Sequence, residues 1–474
     1  MSATLEPTSV RAPAQLRMLH LGLGSFHRAH QAVYLHQLQQ TGDRQWVLAG
    51  GNLRPDMAET VNALVAQGGA YTLETVTPDG VRDYTRITSI QTVVPYDSGL
   101  SGLLRLGADP QTRIISFTVT EAGYYLDAQH RLDFNFPDLQ ADLQAARAGQ
   151  PGSTLYGGLT AILRARMANQ AGPVTLLNCD NLRHNGERAR GGLLQFIERV
   201  GDTALLAWVQ TQTSSPNAMV DRITPRPTPD VRERVKAATG IDDPAALMGE
   251  SFIQWVVEDD FIAGRPAWER VGVEMVQSVQ AHEEAKIRLL NATHSCIAWA
   301  GTLKGATYIH EGTHNTDIRQ MAYDYVTDDV IPVLNSPQPS PIDLAAYRDV
   351  VLQRFGNPAI ADTNQRVAMD GFSKIPGFIA PTIRERLARG ETVHSVTVLP
   401  ALFLTYLERW HRGELAYSYQ DQAMDVAAAH AICAAPDPVL AFCEDTTLWG
   451  SLAGNKSLID AVSAAYLRIA LWIK

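Results

Sequence analysis

Short apolar runs alternate with amphipathic segments along the first part of the chain. Four runs are suited to buried strands: QLRMLHLG (15–22), QWVLAG (45–50), RIISFTVT (113–120) and PVTLLNC (173–179). The intervals between them leave room for crossover helices, which is typical of a mostly parallel sheet. The pattern predicts an α/β domain in this part of the chain.

Two further segments of this part depart from that alternation. Residues 71–87 form two alternating runs around Pro78-Asp79-Gly80, which predicts a β-hairpin. Residues 211–230 are rich in Pro, Ser and Thr, so we expect an ordered loop or a crossing between layers there.

From about residue 283 the apolar positions recur with helical period and strand patterns nearly vanish. The segments with this period include 283–303, 317–334, 343–355, 381–390 and 396–413. We therefore predict two domains, an α/β domain over residues 1–282 and an all-α domain over residues 283–474.

Composition narrows the class of protein. The chain has 474 residues, of which 45% are hydrophobic and 19% charged, and its formal net charge is −10. These values fit a packed enzyme and disfavour a disordered chain, a nucleic-acid binder or a protein of anionic membrane surfaces. The four cysteines are scattered and no apolar run reaches the length of a membrane span. We expect a soluble cytoplasmic protein.

The first predicted strand runs into Gly22-Leu23-Gly24 and then into a helical segment. Gly22 permits a tight turn, and Gly24 lets the backbone approach a pyrophosphate at the helix N-terminus. His27 takes the third glycine position, so the G-x-G-x-x-G pattern is incomplete and a plain strand–helix connection stays open. After the second strand, Asp56 favours NAD by accepting hydrogen bonds from a ribose, whereas Arg54 leaves NADP open.

The segment from His282 to His294 carries three polar side chains within an apolar stripe. At about 100° per residue, His294 falls near 80° and Asn291 near 140° from Lys286. A lysine in such a place has its pKa lowered by desolvation, as a lysine general base requires. Glu283, one turn earlier, could pair with Lys286 or relay its proton. The alternative is a snorkelling lysine beside hydrogen-bonded Asn and His side chains.

These three residues form K-x-x-x-x-N-x-x-H, which resembles the catalytic motif of the polyol-specific long-chain dehydrogenases, the mannitol dehydrogenase family. Five other stretches agree with this family: GLGSFHRAH (22–30), TEAGYY (120–125), NCDNLRHNGER (178–188), VDRITP (220–225) and RVAMDGFSKIP (366–376). The resemblance covers essentially the whole chain. Ala122 stands where the family has a glycine, and we expect little effect from it.

The resemblance implies a Rossmann-type N-terminal domain, a mainly α-helical C-terminal domain and an active site in the cleft between them. It further implies metal-independent, NAD-dependent oxidation of a polyol to a ketose. Within the family, the expected substrate is D-arabinitol, oxidised to D-xylulose, and mannitol oxidised to fructose is the alternative. A non-catalytic dinucleotide-binding sensor, the alternative from another class, would not need Lys286, Asn181 and Asn291 together.

Residue roles follow from the matching positions of the family. Lys286 is expected to be the general base, with Asn181 and Asn291 donating to the developing alkoxide and His294 orienting the reacting hydroxyl. The residues expected to bind the polyol chain are Asp221, Arg366 and Lys374. Those expected to bind NAD are Gly22, Gly24, Phe26 and Asp56.

One short motif points to different chemistry. His310-Glu311-Gly312-Thr313-His314 satisfies H-E-x-x-H, the pattern of zinc peptidases. That mechanism needs the motif on a regular helix, whereas Gly312 and Thr313 weaken a helix and a better start lies near Thr316. We therefore expect both histidines in a loop and no metal site.

Overall fold

The computed structural model describes residues 15–127 and 129–474. The chain divides into two compact units. The first runs to Val279 and lacks residues 76–81, which are grouped with residues 280–474 in the second. Each unit is described by itself below.

The first unit is built on a six-stranded sheet in the order β5-β2-β1-β6-β7-β8. Its neighbouring strands are all parallel. In chain order this is 3-2-1-4-5-6, the order of a doubly wound dinucleotide-binding fold. The strands are β1 (Leu16–Leu21), β2 (Trp46–Gly51), β3 (Tyr71–Val76), β4 (Arg82–Ile87), β5 (Ile90–Val94), β6 (Thr112–Phe117), β7 (Val174–Asn178), β8 (Thr213–Ser214), β9 (Ala218–Asp221), β10 (Leu247–Glu250), β11 (Gln254–Glu258) and β12 (Glu274–Val276).

The four predicted strands are confirmed as β1, β2, β6 and β7. Alternate side chains of these strands enter different buried cores, because successive residues of a strand point to opposite faces. Leu19 and Ile115 belong to one core, whereas Met18 and Ile114 belong to the other. Burial on both faces explains why these strands are apolar throughout.

Two smaller three-stranded sheets complete the strands of this unit, in the orders β10-β3-β4 and β12-β11-β9. The predicted hairpin is confirmed by the pairing of β3 with β4. Residues 211–230 include β8 and β9, which belong to different sheets, so the predicted crossing is present but it is not a plain loop.

The helices of the first unit are α1 (Ser25–Ala29), α2 (Gln31–Gln40), α3 (Ala58–Ala66), α4 (Ser101–Gly107), α5 (Pro137–Arg147), α6 (Leu155–Ala168), α7 (Asn185–Val200), α8 (Thr203–Gln212) and α9 (Pro229–Thr239). Short 3-10 turns lie at Pro55–Met57, Glu121–Tyr124 and Trp268–Val271. Thr154 caps α6 through its side chain, which accepts a hydrogen bond from Gly157 N–H.

The second unit is helical among its described residues, as the sequence predicts. Its α-helices are α10 (Gln280–Ala285), α11 (Ala292–Leu303), α12 (Ile309–His314), α13 (Thr316–Tyr325), α14 (Ile331–Leu334), α15 (Leu344–Phe355), α16 (Asn364–Ala368), α17 (Gly371–Lys374), α18 (Ala380–Ala388), α19 (Val398–His411), α20 (Val426–Ala434), α21 (Pro438–Glu444), α22 (Thr446–Trp449) and α23 (Lys456–Trp472). Nearly all of α11 is buried, and it packs against α12, α13, α16 and α19.

Three π-helical turns interrupt the helices of this unit, at Lys286–Asn291, Val326–Val330 and Ile375–Ile379. The first lies between α10 and α11, so the helical run from residue 280 to 303 is not the regular α-helix assumed from the sequence. The angles derived from 100° per residue are therefore wrong across this turn. Hydrogen bonds of the i→i+5 type widen the helix here, as between Ala292 N–H and Ile287 O.

The expectation that His310 and His314 lie in a loop is also wrong. Both lie in α12, which is separate from α13. The Glu311 carboxylate stabilises the start of α12 by accepting hydrogen bonds from the backbone N–H groups of Thr307 (2.7 Å) and Tyr308 (2.9 Å). The pattern of helix formers does not reveal this capping, so a helix before Asn315 was not predicted.

Candidate active site

The loop after β1 has the backbone geometry of a dinucleotide-binding turn. Gly22 has φ +109°, and a Cβ atom there would lie 2.2 Å from the Thr118 carbonyl oxygen, so a larger residue does not fit. Gly24 precedes α1, and a Cβ atom there would meet no atom within 4 Å. The backbone is therefore tight on the sheet side and open at the helix N-terminus, where a pyrophosphate binds in this fold.

Three side chains hold this loop in place. The Gly22 carbonyl lies 3.0 Å from His20 Nε2 and accepts a hydrogen bond from Thr118 Oγ1 at 3.0 Å. Leu23 N–H donates to Asn52 Oδ1 (2.7 Å), which joins the loop to the end of β2. Burial lowers the pKa of His20 to about 3, so its ring is neutral. A hydrogen bond from this ring to the Gly22 carbonyl requires the tautomer with the proton on Nε2.

The other predicted cofactor residues lie close to this loop in the chain. Phe26 is half-buried on α1, and its ring stacks on His30 with centroids 5.0 Å apart. Asp56 is exposed in the turn Pro55–Met57 after β2. Arg54, which the sequence left open as a phosphate ligand, donates to Asp138 Oδ2 at 2.9 Å. These positions agree with the predicted cofactor role, which stays a prediction.

The predicted oxyanion donor Asn181 follows β7 and is exposed. The preceding residue, Asp180, fixes this segment, because its carboxylate accepts hydrogen bonds from Val119 N–H (2.7 Å) and the Tyr124 hydroxyl (2.5 Å). Burial raises the pKa of Asp180. The TEAGYY and NCDN stretches, which are far apart in sequence, are thus joined at the carboxyl ends of neighbouring strands.

Asp221, a predicted polyol ligand, is the last residue of β9 and is buried. Asn185 ties β9 to the segment after β7, since its side chain donates to the carbonyls of Ala218 (2.8 Å) and Asp180 (3.0 Å). This amide therefore fixes the backbone between Asn181 and Asp221. The stretch 178–188 alone did not indicate that Asn185 has this supporting role.

Lys286 and Asn291 are the first and last residues of a π-turn. Residues five apart are brought onto one face by i→i+5 hydrogen bonding, so this turn aligns the two side chains better than an α-helix does. Lys286 is 6% exposed and Glu283 is 4% exposed. The burial of Lys286 is the condition that the general-base hypothesis requires, while its role stays a prediction.

His294 and Arg366, predicted separately, meet at one carboxylate that sequence reasoning missed. Asp362 accepts hydrogen bonds from Arg366 Nε (2.6 Å) and from Nη2 of the same guanidinium. Its Oδ2 also lies 3.3 Å from His294 Nε2, an electrostatic contact without the alignment of a full hydrogen bond. Asp362 follows a short 3-10 turn and precedes Arg366 by four residues, a charge spacing that could have indicated their ion pair but not the contact with His294.

The electrostatics of this cluster favour a charged Asp362 and a neutral His294. Burial opposes ionisation of Asp362, but the contacts with His294 and Arg366 outweigh it and hold the pKa of this carboxyl below its ordinary value. Burial lowers the pKa of His294, although Asp362 opposes the shift. The imidazole also stacks on Phe355, with ring centroids 4.3 Å apart, which fixes its plane.

Lys374, the third predicted polyol ligand, is half-buried at the end of α17 and donates to the Val367 carbonyl. Burial lowers the pKa of Lys374 to about 8. Its ammonium is therefore the form present at neutral pH, but the charge is lost under mildly alkaline conditions.

The H-E-x-x-H pattern has little in common with a zinc site. The rings of His310 and His314 lie 6.1 Å apart and nearly perpendicular, and Glu311 is used as a helix cap. Among residues 15–127 and 129–474, no group of three or more His, Cys, Asp or Glu side chains is arranged to hold a metal ion. Nothing in this geometry supports the peptidase alternative.

Comparison with known proteins decides the family. The mannitol dehydrogenase Rossmann domain matches residues 16–270, and the mannitol dehydrogenase C-terminal domain matches residues 278–470. The chain belongs to the mannitol dehydrogenase family. The resemblance inferred from the motifs is thereby confirmed, as is the fold class of a Rossmann-type domain followed by a mainly helical one.

Relatives within this family extend over nearly the whole chain. A D-arabinitol 4-dehydrogenase of Ralstonia nicotianae is 61% identical, covering 98% of this chain and 97% of its own length. One of Klebsiella pneumoniae is 55% identical, covering 96% and 99%. The solved Pseudomonas fluorescens mannitol 2-dehydrogenase ternary complex with NAD and D-mannitol has a TM-score of 0.80 at 32% identity, covering 97% of this chain and 92% of its own.

Within the part of the chain that the structure describes, no helix combines the length and apolar character needed to cross a bilayer.

Proposed function

We propose that this protein is an NAD-dependent polyol dehydrogenase that oxidises D-arabinitol at C4 to D-xylulose. The observation that carries the substrate is the 61% and 55% identity, over nearly full length, to two D-arabinitol 4-dehydrogenases. The predicted catalytic residues support the reaction class, because Lys286 is buried and shares one π-turn with Asn291.

In the proposed reaction, the C–H bond at C4 breaks as hydride leaves and the O–H bond loses its proton. The Lys286 amine accepts that proton, so the amine must be neutral when the reaction begins. The side-chain amides of Asn181 and Asn291 donate to the developing alkoxide, an interaction worth about 3 kcal/mol per donor in comparable sites. Glu283 relays the proton from Lys286 towards water.

The remaining side chains hold the polyol. His294 orients the reacting hydroxyl, while Asp221, Arg366 and Lys374 bind the rest of the chain. A neutral, hydroxyl-covered substrate needs such a dense set of donors and acceptors, because each buried hydroxyl left unpaired costs about 1–3 kcal/mol.

The residues after β1 fit NAD. Gly22 allows no Cβ atom, Gly24 leaves open space at the start of α1, and the strand order is that of dinucleotide-binding folds. The backbone at Gly22 and Gly24, together with Phe26 and Asp56, would hold the dinucleotide. When bound, NAD supplies the acceptor for the hydride.

The test is the rate of NAD reduction by the purified protein with D-arabinitol, D-mannitol, xylitol and D-sorbitol, followed by identification of the product. We expect D-arabinitol to be the best substrate and D-xylulose to be the ketose formed. If none of the four polyols reduces NAD, the proposed function is wrong.

Mannitol oxidation to fructose is the second candidate. It is supported by the likeness to the mannitol 2-dehydrogenase solved with NAD and D-mannitol. The lower identity of that protein, 32%, makes it the weaker candidate. We also propose a cytoplasmic location, which is supported by the free thiols of the four cysteines.

A further inference from the structure

Arg54 forms hydrogen bonds with three residues from other segments of the first unit. Its Nε donates to the Ser153 carbonyl (3.1 Å), and its Nη2 donates to the Tyr125 hydroxyl (2.9 Å) and to Asp138 Oδ2 (2.9 Å). The Tyr125 hydroxyl in turn donates to the same Asp138 oxygen at 3.1 Å. Asp138 therefore receives both donors, and the guanidinium is tied down on two of its three nitrogens.

Arg54 lies at a position of the fold that affects the choice between NAD and NADP. Arg54 comes three residues after Gly51, the last residue of β2. In dinucleotide-binding sheets the adenosine ribose lies beside the end of this strand, where an arginine can accommodate the 2′-phosphate of NADP. By sequence alone, Arg54 and Asp56 pointed to opposite cofactors.

The local charges resolve that conflict. Asp138 neutralises Arg54, whereas exposed Asp56 forms no ion pair or side-chain hydrogen bond with the described residues. The carboxylate of Asp56 therefore remains as an unpaired negative charge in the turn after β2. It repels a 2′-phosphate, and the guanidinium that could have bound the phosphate is already engaged.

We propose that Asp138 is a specificity-determining residue that excludes NADP by occupying and neutralising Arg54. This proposal rests on the dinucleotide site of the proposed function but not on the identity of the polyol. Asp138 lies at the start of α5, 84 residues from Arg54 in sequence, so no motif around the glycine loop includes it.

The exposure of the pair makes the proposal testable without unfolding the protein. The side chains of Arg54 and Asp138 are 44% and 53% exposed, and exposed ion pairs contribute little to folding stability. Asp138→Asn removes the charge while keeping the shape and a hydrogen-bond acceptor. Asp83→Asn, on the exposed face of β4, is a matched control that removes the same charge elsewhere.

The experiment measures binding by calorimetry, using the full chain and two probes, ADP-ribose and ADP-ribose 2′-phosphate. The quantity compared is the ratio of the two affinities, which does not depend on catalysis. We expect Asp138→Asn to shift this ratio towards the 2′-phosphate by about tenfold, or ~1.4 kcal/mol. The shift should be absent in Asp83→Asn, and absent when Asp138→Asn is combined with Arg54→Ala.

Three results would overturn the proposal. An unchanged ratio in Asp138→Asn shows that Asp138 does not act on Arg54 in this way. An equal gain in the Arg54→Ala background shows that the effect is one of general charge. If the unaltered protein binds neither probe, the assigned dinucleotide site is wrong and the proposed function fails with it. If the unaltered protein binds ADP-ribose but not its 2′-phosphate, the proposed function is retained.

Discussion

Lys286 is buried in a helical run, and desolvation of a buried amine disfavours its charged form. The general-base hypothesis requires the neutral amine, because only that form can accept a proton from a hydroxyl. A lysine that served only for packing could be replaced by an apolar residue with little loss of activity, whereas a general base could not. The two roles are therefore separable by experiment.

We predict that Lys286→Ala lowers kcat by a factor of about 10²–10⁴, the usual contribution of a general base. The measurement is steady-state NAD reduction with D-arabinitol, with Lys236→Ala, an exposed lysine of α9, as the control. Added primary amines should restore part of the rate, since they replace the missing base. Near-native kcat for Lys286→Ala at neutral pH would show that the mechanism is wrong.

Asp362 contacts two residues that are predicted to bind the substrate, His294 and Arg366. It holds Arg366 through two hydrogen bonds and faces His294 at 3.3 Å. We predict that Asp362→Asn raises KM for the polyol about tenfold, or ~1.4 kcal/mol, with a smaller effect on kcat. Asp349→Asn, which alters a comparable pair with Arg348, is the control. A fall in kcat at constant KM would contradict the positioning role.

The pKa of Lys374 predicts a pH effect on substrate binding. Burial lowers this pKa to about 8, so the ammonium donor is present below that pH and is lost as the pH rises through it. We therefore expect KM for the polyol to increase above about pH 8. The measurement is KM between pH 6 and 10 in the native protein and in Lys374→Met, whose profile should lack this rise. Parallel profiles would assign the titration to another group.

At the scale of elements, periodicity predicted the architecture but not its irregular turns. The four apolar strands and the five helical segments named between residues 283 and 413 were predictable because burial imposes a period of 2 or 3.6 on the side chains. The π-turn at Lys286 was not, since nothing in a local pattern distinguishes an i→i+5 turn from an i→i+4 turn. The α12 helix was missed for a related reason, because its start depends on the Glu311 cap.

The candidate site likewise contains residues that the sequence predicted and residues that it did not. Its motif residues could be carried over from the family, whereas the residues that support them could not. The contacts of Asp362 with His294 and of Asp138 with Arg54 join residues far apart in sequence, so they depend on tertiary packing, whereas Asp362 and Arg366 are only four residues apart. Sequence reasoning therefore identified the groups expected to touch substrate and cofactor but missed those that fix their positions.

The π-turn at Lys286–Asn291 is itself testable as an element. Deleting Ile287 should restore i→i+4 bonding and remove the widened turn, so Lys286 and Asn291, then four residues apart, would lose their present spacing along and around the helix. We predict a loss of kcat/KM of at least about 100-fold with helix content preserved by circular dichroism. Deleting Asp328 in the π-turn Val326–Val330, which holds no predicted site residue, is the control. Equal losses from both deletions would show that only folding is affected.

At the scale of the whole molecule, the predicted functional residues are shared between the two units. The first unit carries the glycine loop, Asn181 and Asp221, and the second carries Lys286, Asn291 and the Asp362 cluster. The first set contains the residues predicted to bind the cofactor, and the second contains the predicted base. Neither unit by itself therefore holds the residues for the complete proposed reaction, which agrees with relatives that match over nearly the full length of the chain.

Substrate choice is the property of the whole molecule that the family assignment leaves most open. D-Arabinitol and D-mannitol present similar hydroxyls near the reacting carbon and differ by one CH–OH unit at the far end. A site that hydrogen-bonds the terminal hydroxyl discriminates by about 1–3 kcal/mol for each buried partner left unsatisfied. We expect that discrimination at Arg366 and Lys374 rather than at Lys286, Asn181 or Asn291, whose predicted roles concern the reacting hydroxyl that both substrates share.

We predict that kcat/KM for D-arabinitol exceeds that for D-mannitol by at least about tenfold, equivalent to ~1.4 kcal/mol. Arg366→Ala and Lys374→Met should each narrow this ratio, because they remove partners of the distal hydroxyl, whereas Asn291→Ala should slow both substrates in proportion. The measurement is kcat/KM for both polyols in all four proteins. If D-mannitol is oxidised as well as D-arabinitol, the pentitol assignment fails while the lysine mechanism is unaffected, because the groups that bind the far end of the substrate are distinct from those that move the proton.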